Sequence, residues 1–337
     1  MDENKKQDLV LDIRNLTVHY NTYKGVVEAV NNLNLQLGKK RSLGLVGETG
    51  AGKTTTALAM LNMIPKPPGE IVSGEIFLDG EDILRKGKRD LEKVRGKDIS
   101  MIFQDPMTAL NPVFTVGEQI AESILLHEKV FKSEALERAK EMLKIVGIPG
   151  ERANEYPHQF SGGMKQRVVI AIALACHTKI LIADEPTTAL DVTIQAQVLR
   201  LMQEIKEKYD TSLLLITHDL GIVARICDEV AVMYAGRIVE QGTLVDIFNR
   251  TKHPYTEGLF NSLPNIKDRK AKLVPIKGLM PDPTNLPKGC VFAPRCPYAT
   301  KACEERPPEQ RWISDTHMVA CSAYDDPSFH INRREKS

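Results

Sequence analysis

Gly47-Glu48-Thr49-Gly50-Ala51-Gly52-Lys53-Thr54 fits the pattern G-x-x-x-x-G-K-[ST], and its flanks suit the same reading. The apolar run Ser42-Leu43-Gly44-Leu45-Val46 in front reads as a buried strand, and residues 55–63, rich in Ala, Leu and Met, read as the helix behind. Between a strand and a helix N-terminus, successive backbone N–H groups can converge on phosphate oxygens. Glycine lets the chain turn tightly and lets a phosphate approach the backbone. Lys53 supplies a point charge to the β- and γ-phosphates, and the Thr54 hydroxyl is a ligand for Mg²⁺. A chain of 337 residues would match this pattern by chance roughly once in a hundred cases, and the flanks lower that further. Glu48, Thr49, Gly50, Ala51, Gly52, Lys53, Thr54 and Thr55 are therefore the candidate nucleotide-phosphate site.

The length suits one large domain or two smaller ones. A net charge of +1 gives no reason to expect nucleic acid as a partner. The first eight residues are polar, and the longest unbroken apolar run, residues 168–176, is about half of what a membrane helix needs. The expectation is a chain that neither spans a membrane nor is exported, so any membrane role comes through a partner.

Ahead of the phosphate loop, residues 9–20 alternate apolar and polar as a strand, and residues 26–37 read as two more. Tyr20, at a strand end, is a candidate to stack on an adenine ring, with Tyr23 a weaker competitor and an ordinary strand-end tyrosine the plain alternative. Residues 71–78 and 99–103 are further strands, the second running into Gln104, whose amide oxygen can serve Mg²⁺ or an attacking water. From residue 115 to 147 the period becomes helical, with Ile120, Ile124 and Leu125, then Ala135, Ala139, Leu143 and Val146. Phe160-Ser161-Gly162-Gly163-Met164 then opens an apolar helix. Ser161 suits an N-cap, and the bare helix end is either a capped core helix or a second anion site.

The apolar run 179–183 ends in Asp184-Glu185, the pattern of a central parallel strand with function at its C-terminal end. Asp184 is a Mg²⁺ ligand candidate, and Glu185 is placed to deprotonate a water facing the γ-phosphate. Residues 212–216 form another buried strand that delivers His218 to the same edge. Residues 229–234 and 236–239 close the domain as a hairpin.

In order, Tyr20, residues 47–54, Gln104, residues 160–164, residues 180–185, Ala189-Leu190-Asp191 and His218 resemble the motifs of the nucleotide-binding subunit of ATP-binding-cassette transporters. They look like its aromatic loop, Walker A, Q-loop, signature, Walker B with catalytic glutamate, D-loop and H-loop. Met164 departs from the signature, where Gln is usual. The resemblance covers residues 9–248 and implies an α/β fold. That fold has a P-loop parallel sheet, an antiparallel β subdomain and an inserted helical subdomain at about 105–165, within a domain spanning 8–250. It also implies a head-to-tail dimer in which each ATP lies between one Walker A and the partner's Ser161, Gly162 and Gly163. On this reading Glu185 is the general base, His218 bridges water and γ-phosphate, and Thr54, Gln104 and Asp184 hold Mg²⁺.

Residues 251–337 have a different texture: His253-Pro254-Tyr255 opens a short helix, residues 264–286 are Pro-rich, and Cys290, Cys296, Cys303 and Cys321 follow. No short C-x2-C knuckle favours zinc, and four widely spaced cysteines suit a [4Fe–4S] cluster better. Cys176 and Cys227 read as core residues. This extension resembles that of oligopeptide, dipeptide and nickel importer ATPases, which carry such a cluster. The resemblance implies two transmembrane permease subunits, a second ATP-binding subunit, an extracytoplasmic substrate-binding protein acting indirectly, and a peripheral position on the cytoplasmic face. Peptide is the expected cargo and nickel the alternative. Cassette ATPases acting on DNA or ribosomes usually carry tandem cassettes or a long coiled-coil insertion, and neither is present.

Overall fold

The computed structural model describes residues 8–188, 190–263, 274–326 and 328–331. Ala189, the polar start of the chain and residues 264–273 of the Pro-rich stretch lie outside the described residues. Strands β1 (Leu9–Thr22) and β2 (Gly25–Gly38) form a long antiparallel hairpin, followed by β3 (Ser42–Val46) and helix α1 (Lys53–Met60). Then come β4 (Gly69–Leu78), β5 (Glu81–Asp82), α2 (Lys88–Val94) and β6 (Ile99–Ile102). The helices α3 (Pro106–Ala109), α4 (Val116–His127), α5 (Lys132–Ile145) and α6 (Gly162–Leu174) separate β6 from β7 (Ile180–Asp184). The chain continues through α7 (Val192–Tyr209), β8 (Ser212–Thr217), α8 (Leu220–Ile226), β9 (Glu229–Tyr234) and β10 (Arg237–Thr243). Beyond these lie α9 (Leu244–Asn249), α10 (Pro254–Asn261), α11 (Lys301–Glu305), β11 (Arg311–Trp312) and β12 (Met318–Val319).

Two sheets result, one of four strands in the order β2-β1-β4-β5 and one of eight in the order β11-β12-β10-β9-β3-β8-β7-β6. In the larger sheet β9, β3, β8, β7 and β6 run parallel, so the segments after β3, β6, β7 and β8 emerge at one edge. That edge is where a doubly wound sheet builds its ligand site. Strands β3, β7 and β8 are buried along their whole length, which is why their sequences are unbroken apolar runs rather than alternating ones.

Residues 26–37 are one strand, not the two that their pattern suggests. Between the pairs Leu16–Leu33 and Val18–Val30, β2 carries an extra residue, and Asn32 adopts a positive φ of 47°. A bulge of this kind shifts the inside–outside alternation without ending the strand. Helix α1 starts at Lys53 because Gly52 at φ 102° turns the chain straight into it. In the inserted helices, the Thr115–Glu118 capping box starts α4, and Ile120 and Ile124 pack in one core cluster with Ala135, Ala139 and Leu143. Leu125 faces outward instead.

The C-terminal segment is sewn onto the larger sheet. β12 pairs antiparallel with β10, and the fully buried Glu240 of β10 accepts hydrogen bonds from the Lys252 and His253 N–H groups (2.6 and 3.1 Å) and meets His317 Nε2 at 2.8 Å. His253 caps α10: its Nδ1 accepts the Tyr255 N–H at 3.1 Å, and burial pushes its pKa down to about 3, so the ring is neutral. Tyr255 packs against Tyr234 and Phe292, with ring centroids 4.6 and 5.4 Å away.

The [4Fe–4S] expectation is overturned. Among the described residues, no three His, Cys, Asp or Glu side chains gather where they could hold a metal ion. Cys290, Cys296, Cys303 and Cys321 are free thiols. Burial pushes the Cys290 thiol up, Cys296 to about 11 and Cys321 to about 12, so these three stay neutral. The loop is instead closed by backbone, with the Cys290 N–H donating to the Cys303 carbonyl at 2.6 Å.

Candidate active site

The phosphate loop joins β3 to α1 and is hemmed in from behind. A Cβ at Gly47 would collide with the Met233 carbonyl oxygen, and one at Gly52 with the Ala29 carbonyl oxygen. Only glycine lets the loop sit this close to β9 and β2. Thr49, Gly50 and Thr54 are exposed at the mouth, whereas Lys53 is buried and donates from Nζ to the carbonyls of Gly47 (2.8 Å) and Glu48 (3.0 Å). Burial lowers the Lys53 pKa, and the carboxylates of Glu185, Asp184 and Glu48 work against that shift. A lysine in this position carries its charge into a partly dehydrated loop, where it acts strongly on an anion.

At the end of β7 the two carboxylates have separate surroundings. Asp184 is buried, and its Oδ2 accepts the Thr54 hydroxyl at 2.7 Å. Burial raises its pKa, and the neighbouring Glu185 adds to the rise. Glu185 has φ 46°, a left-handed backbone that is uncommon outside glycine and that strand ends tolerate where the surroundings hold it. Its N–H donates to the Ile216 carbonyl at 2.8 Å, which fixes this conformation against β8.

The Glu185 carboxylate is then gripped from three elements. Gln104 Nε2 donates to Oε2 at 3.0 Å, the Thr188 hydroxyl donates to the same oxygen at 3.0 Å, and His218 Nδ1 lies 3.1 Å from Oε1. Burial raises the Glu185 pKa, but the bonds to His218 and Thr188 outweigh it and hold the group below the usual carboxylate range. Gln104, Glu185 and His218 are thus brought together, and so are Lys53, Thr54 and Asp184. Gln104 bonds to Glu185 in this arrangement, and not to Asp184. Thr188 was missed from sequence because nothing in Pro186-Thr187-Thr188 marks one hydroxyl as turned back onto its neighbour.

The Ser161 helix start lies on α6. The Ser161 hydroxyl accepts the Met164 N–H at 3.4 Å, an ordinary N-cap, and Gly163 leaves room for Ile194, which a Cβ would strike. Both are packing roles, yet Ser161 and Gly162 stay exposed and the space beside Gly162 is open. Met164 takes a hydrogen bond on its sulfur from Arg152 at 3.4 Å. Tyr20 is half-buried at the end of β1, its ring close against Gly69, whereas Tyr23 is 94% exposed. The C-terminal segment also reaches the loop: the Tyr255 hydroxyl accepts the Glu48 N–H, and Arg295 pairs with the Glu48 carboxylate.

Residues 30–188 match the ABC transporter family, and residues 239–303 match the C-terminal region of oligopeptide/dipeptide transporters. The chain is 51% identical to the oligopeptide transport ATP-binding protein OppD of Bacillus subtilis, over 92% of this chain and 87% of that protein. It is 49% identical to the dipeptide transport ATP-binding protein DppD of the same organism, over 95% of this chain and 96% of that one. Among solved structures, the dimeric ATP-binding cassette MJ0796 in a post-hydrolysis state bound to ADP and Pi superimposes with a TM-score of 0.62. It shares 26% identity, covering 69% of this chain and 98% of that one. The chain belongs to the ABC transporter family, among the ATP-binding proteins of oligopeptide and dipeptide transport.

Proposed function

We propose that this ABC ATPase is the energy-coupling subunit of a peptide importer. The observation that carries the reading is the Glu185 carboxylate, held by Gln104, Thr188 and His218 at the same sheet edge as Lys53 and the Thr54–Asp184 pair. ATP lies with its phosphates on residues 48–55 and its adenine on Tyr20. Glu185 takes the proton of a water as that water's oxygen bonds to the γ-phosphorus and the β–γ bridge breaks. Its depressed pKa keeps it ionised, and therefore able to accept that proton, across the neutral range. His218 and Gln104 hold the carboxylate and the water in line. The Thr54 hydroxyl and Asp184 carboxylate are hard oxygen donors already in contact, which suits Mg²⁺, with Gln104 as a third ligand. When bound, Mg²⁺ neutralises charge on the phosphates.

The open, exposed start of α6 supports a head-to-tail pair in which Ser161, Gly162 and Gly163 close on the partner's ATP, the partner being this chain or a related one. A helix N-terminus with free N–H groups favours such an anion. No helix among the described residues is long and apolar enough to cross a membrane. The likeness to oligopeptide and dipeptide transport ATP-binding proteins supports coupling through two permease subunits, with the ATPase peripheral on their cytoplasmic face and an extracytoplasmic binding protein delivering the cargo. Co-reconstituted with these subunits, the chain should hydrolyse ATP faster when peptide is supplied and should drive peptide uptake. Stimulation by nickel and not by any peptide would overturn the cargo assignment.

The acid limb of the turnover profile tests the carboxylate cage. A base works only when ionised, so turnover falls as pH drops through the Glu185 pKa. Thr188→Val removes one of the bonds that lower this pKa, and the acid limb should move to higher pH. A kcat–pH profile superimposable on wild type would remove Thr188 from the cage.

A further inference from the structure

Arg295 lies in the C-terminal segment, beside Cys296, yet its side chain is only 6% exposed because it is inserted against the phosphate loop. Its Nη1 donates to both oxygens of Glu48 at 3.1 and 3.0 Å and contacts the Tyr234 hydroxyl at 3.3 Å, while Nε donates to the Lys277 carbonyl at 3.1 Å. The fully buried Tyr255 accepts the Glu48 N–H at 2.9 Å. Further along the same strap, the Pro283 carbonyl accepts the Glu28 N–H at 2.9 Å, and the Met280 methyl lies 3.4 Å from where a Cβ of Gly50 would be. Backbone and side chain of one loop residue are thus fixed by groups from beyond the cassette.

We propose that Arg295 and Tyr255 are positioning residues for ATP, holding the phosphate loop in its binding shape through Glu48. The inference rests on the reading of residues 47–54 as the ATP site. Hydrogen bonds to a charged group made before the ligand arrives spare the loop the cost of ordering on binding. Their loss therefore acts on affinity, while Glu185 and its cage, on a different element, keep the rate of the bound complex. The segment then has a direct handle on nucleotide occupancy, in addition to its packing on β10.

The test is a titration of the full-length chain with a fluorescent ribose-labelled ATP, beside steady-state kinetics. Arg295→Met should weaken binding and raise KM by about tenfold, with kcat at saturating ATP within about twofold of wild type. Glu48→Gln should also weaken binding, and the double variant should be no worse than Glu48→Gln alone, since both substitutions remove one pair. Arg295→Lys should recover part of the affinity. Trp312, the chain's one tryptophan and part of β11, reports whether the segment remains ordered. Wild-type affinity in Arg295→Met with an unchanged Trp312 signal, or additive losses in the double variant, would overturn the proposal alone. If Arg295→Met unfolds the segment, Tyr255→Phe, which removes the acceptor of the Glu48 N–H, decides the matter: weakened binding supports the proposal, and wild-type affinity with an unchanged Trp312 signal would overturn it. A wild-type chain that does not bind the labelled ATP would overturn the ATPase reading as well.

Discussion

Glu185→Gln should bind ATP at least as tightly as wild type and turn it over about 10³-fold more slowly. The substitution conserves shape, so the positive φ at this position and the bond from its N–H to Ile216 are undisturbed. An amide oxygen still accepts hydrogen bonds from Gln104 and Thr188, but it cannot take a proton from water. Removing the charge also relieves the repulsion that helps raise the Asp184 pKa, and it removes one negative group facing the γ-phosphate. Binding is therefore spared while the chemical step is lost. Because ATP joins two subunits in the proposed dimer and hydrolysis releases them, the variant should accumulate as an ATP-dependent dimer. Size-exclusion chromatography with light scattering, with and without ATP, reads this directly. Turnover at the wild-type rate would take Glu185 out of the general-base role.

The parts of the site that sequence made legible are those where chemistry forces residue types into a fixed local spacing. Gly47, Gly52, Lys53 and Thr54 must occur in that order for a loop to wrap phosphate, and Asp184-Glu185 must close an apolar strand to reach the same edge. The comb of parallel strands then brings Gln104 and His218 to them, because each ends a neighbouring strand. What stayed hidden depended on distance or direction. Arg295 meets Glu48 across 247 positions of chain, and nothing local announces the pair. The bulge at Asn32 breaks the two-residue period, and a broken period looks like a broken strand. Cysteine spacing sets which loops are closed, not where the sulfurs point, so four thiols at plausible intervals need not meet at one metal. At α6 one sequence serves both readings. Ser161 caps the helix and Gly163 makes room for Ile194, whether or not a phosphate ever sits there.

Lys53→Met should fail one step earlier than Glu185→Gln, by losing ATP itself. Nζ already sits inside the curl of the loop, bonded to the Gly47 and Glu48 carbonyls, and its charge is poorly hydrated. At about 4 Å and an effective dielectric constant near 20, one unit charge gains about 4 kcal/mol from an anion. The loop N–H groups and the helix end retain part of the binding, so affinity should fall by about 10²-fold or more, as isothermal titration would read. Stability should change little. A buried ammonium is costly to dehydrate, and methionine fills most of its volume, so the melting temperature should stay within about 3 °C. The double variant Lys53→Met/Glu185→Gln separates the two steps. If nucleotide closes the dimer by way of the Lys53 charge, ATP should no longer trap the Glu185→Gln dimer once that charge is gone. Persistence of the trapped dimer at the same ATP concentration would mean that the partner's α6, and not the phosphate loop, supplies most of the grip.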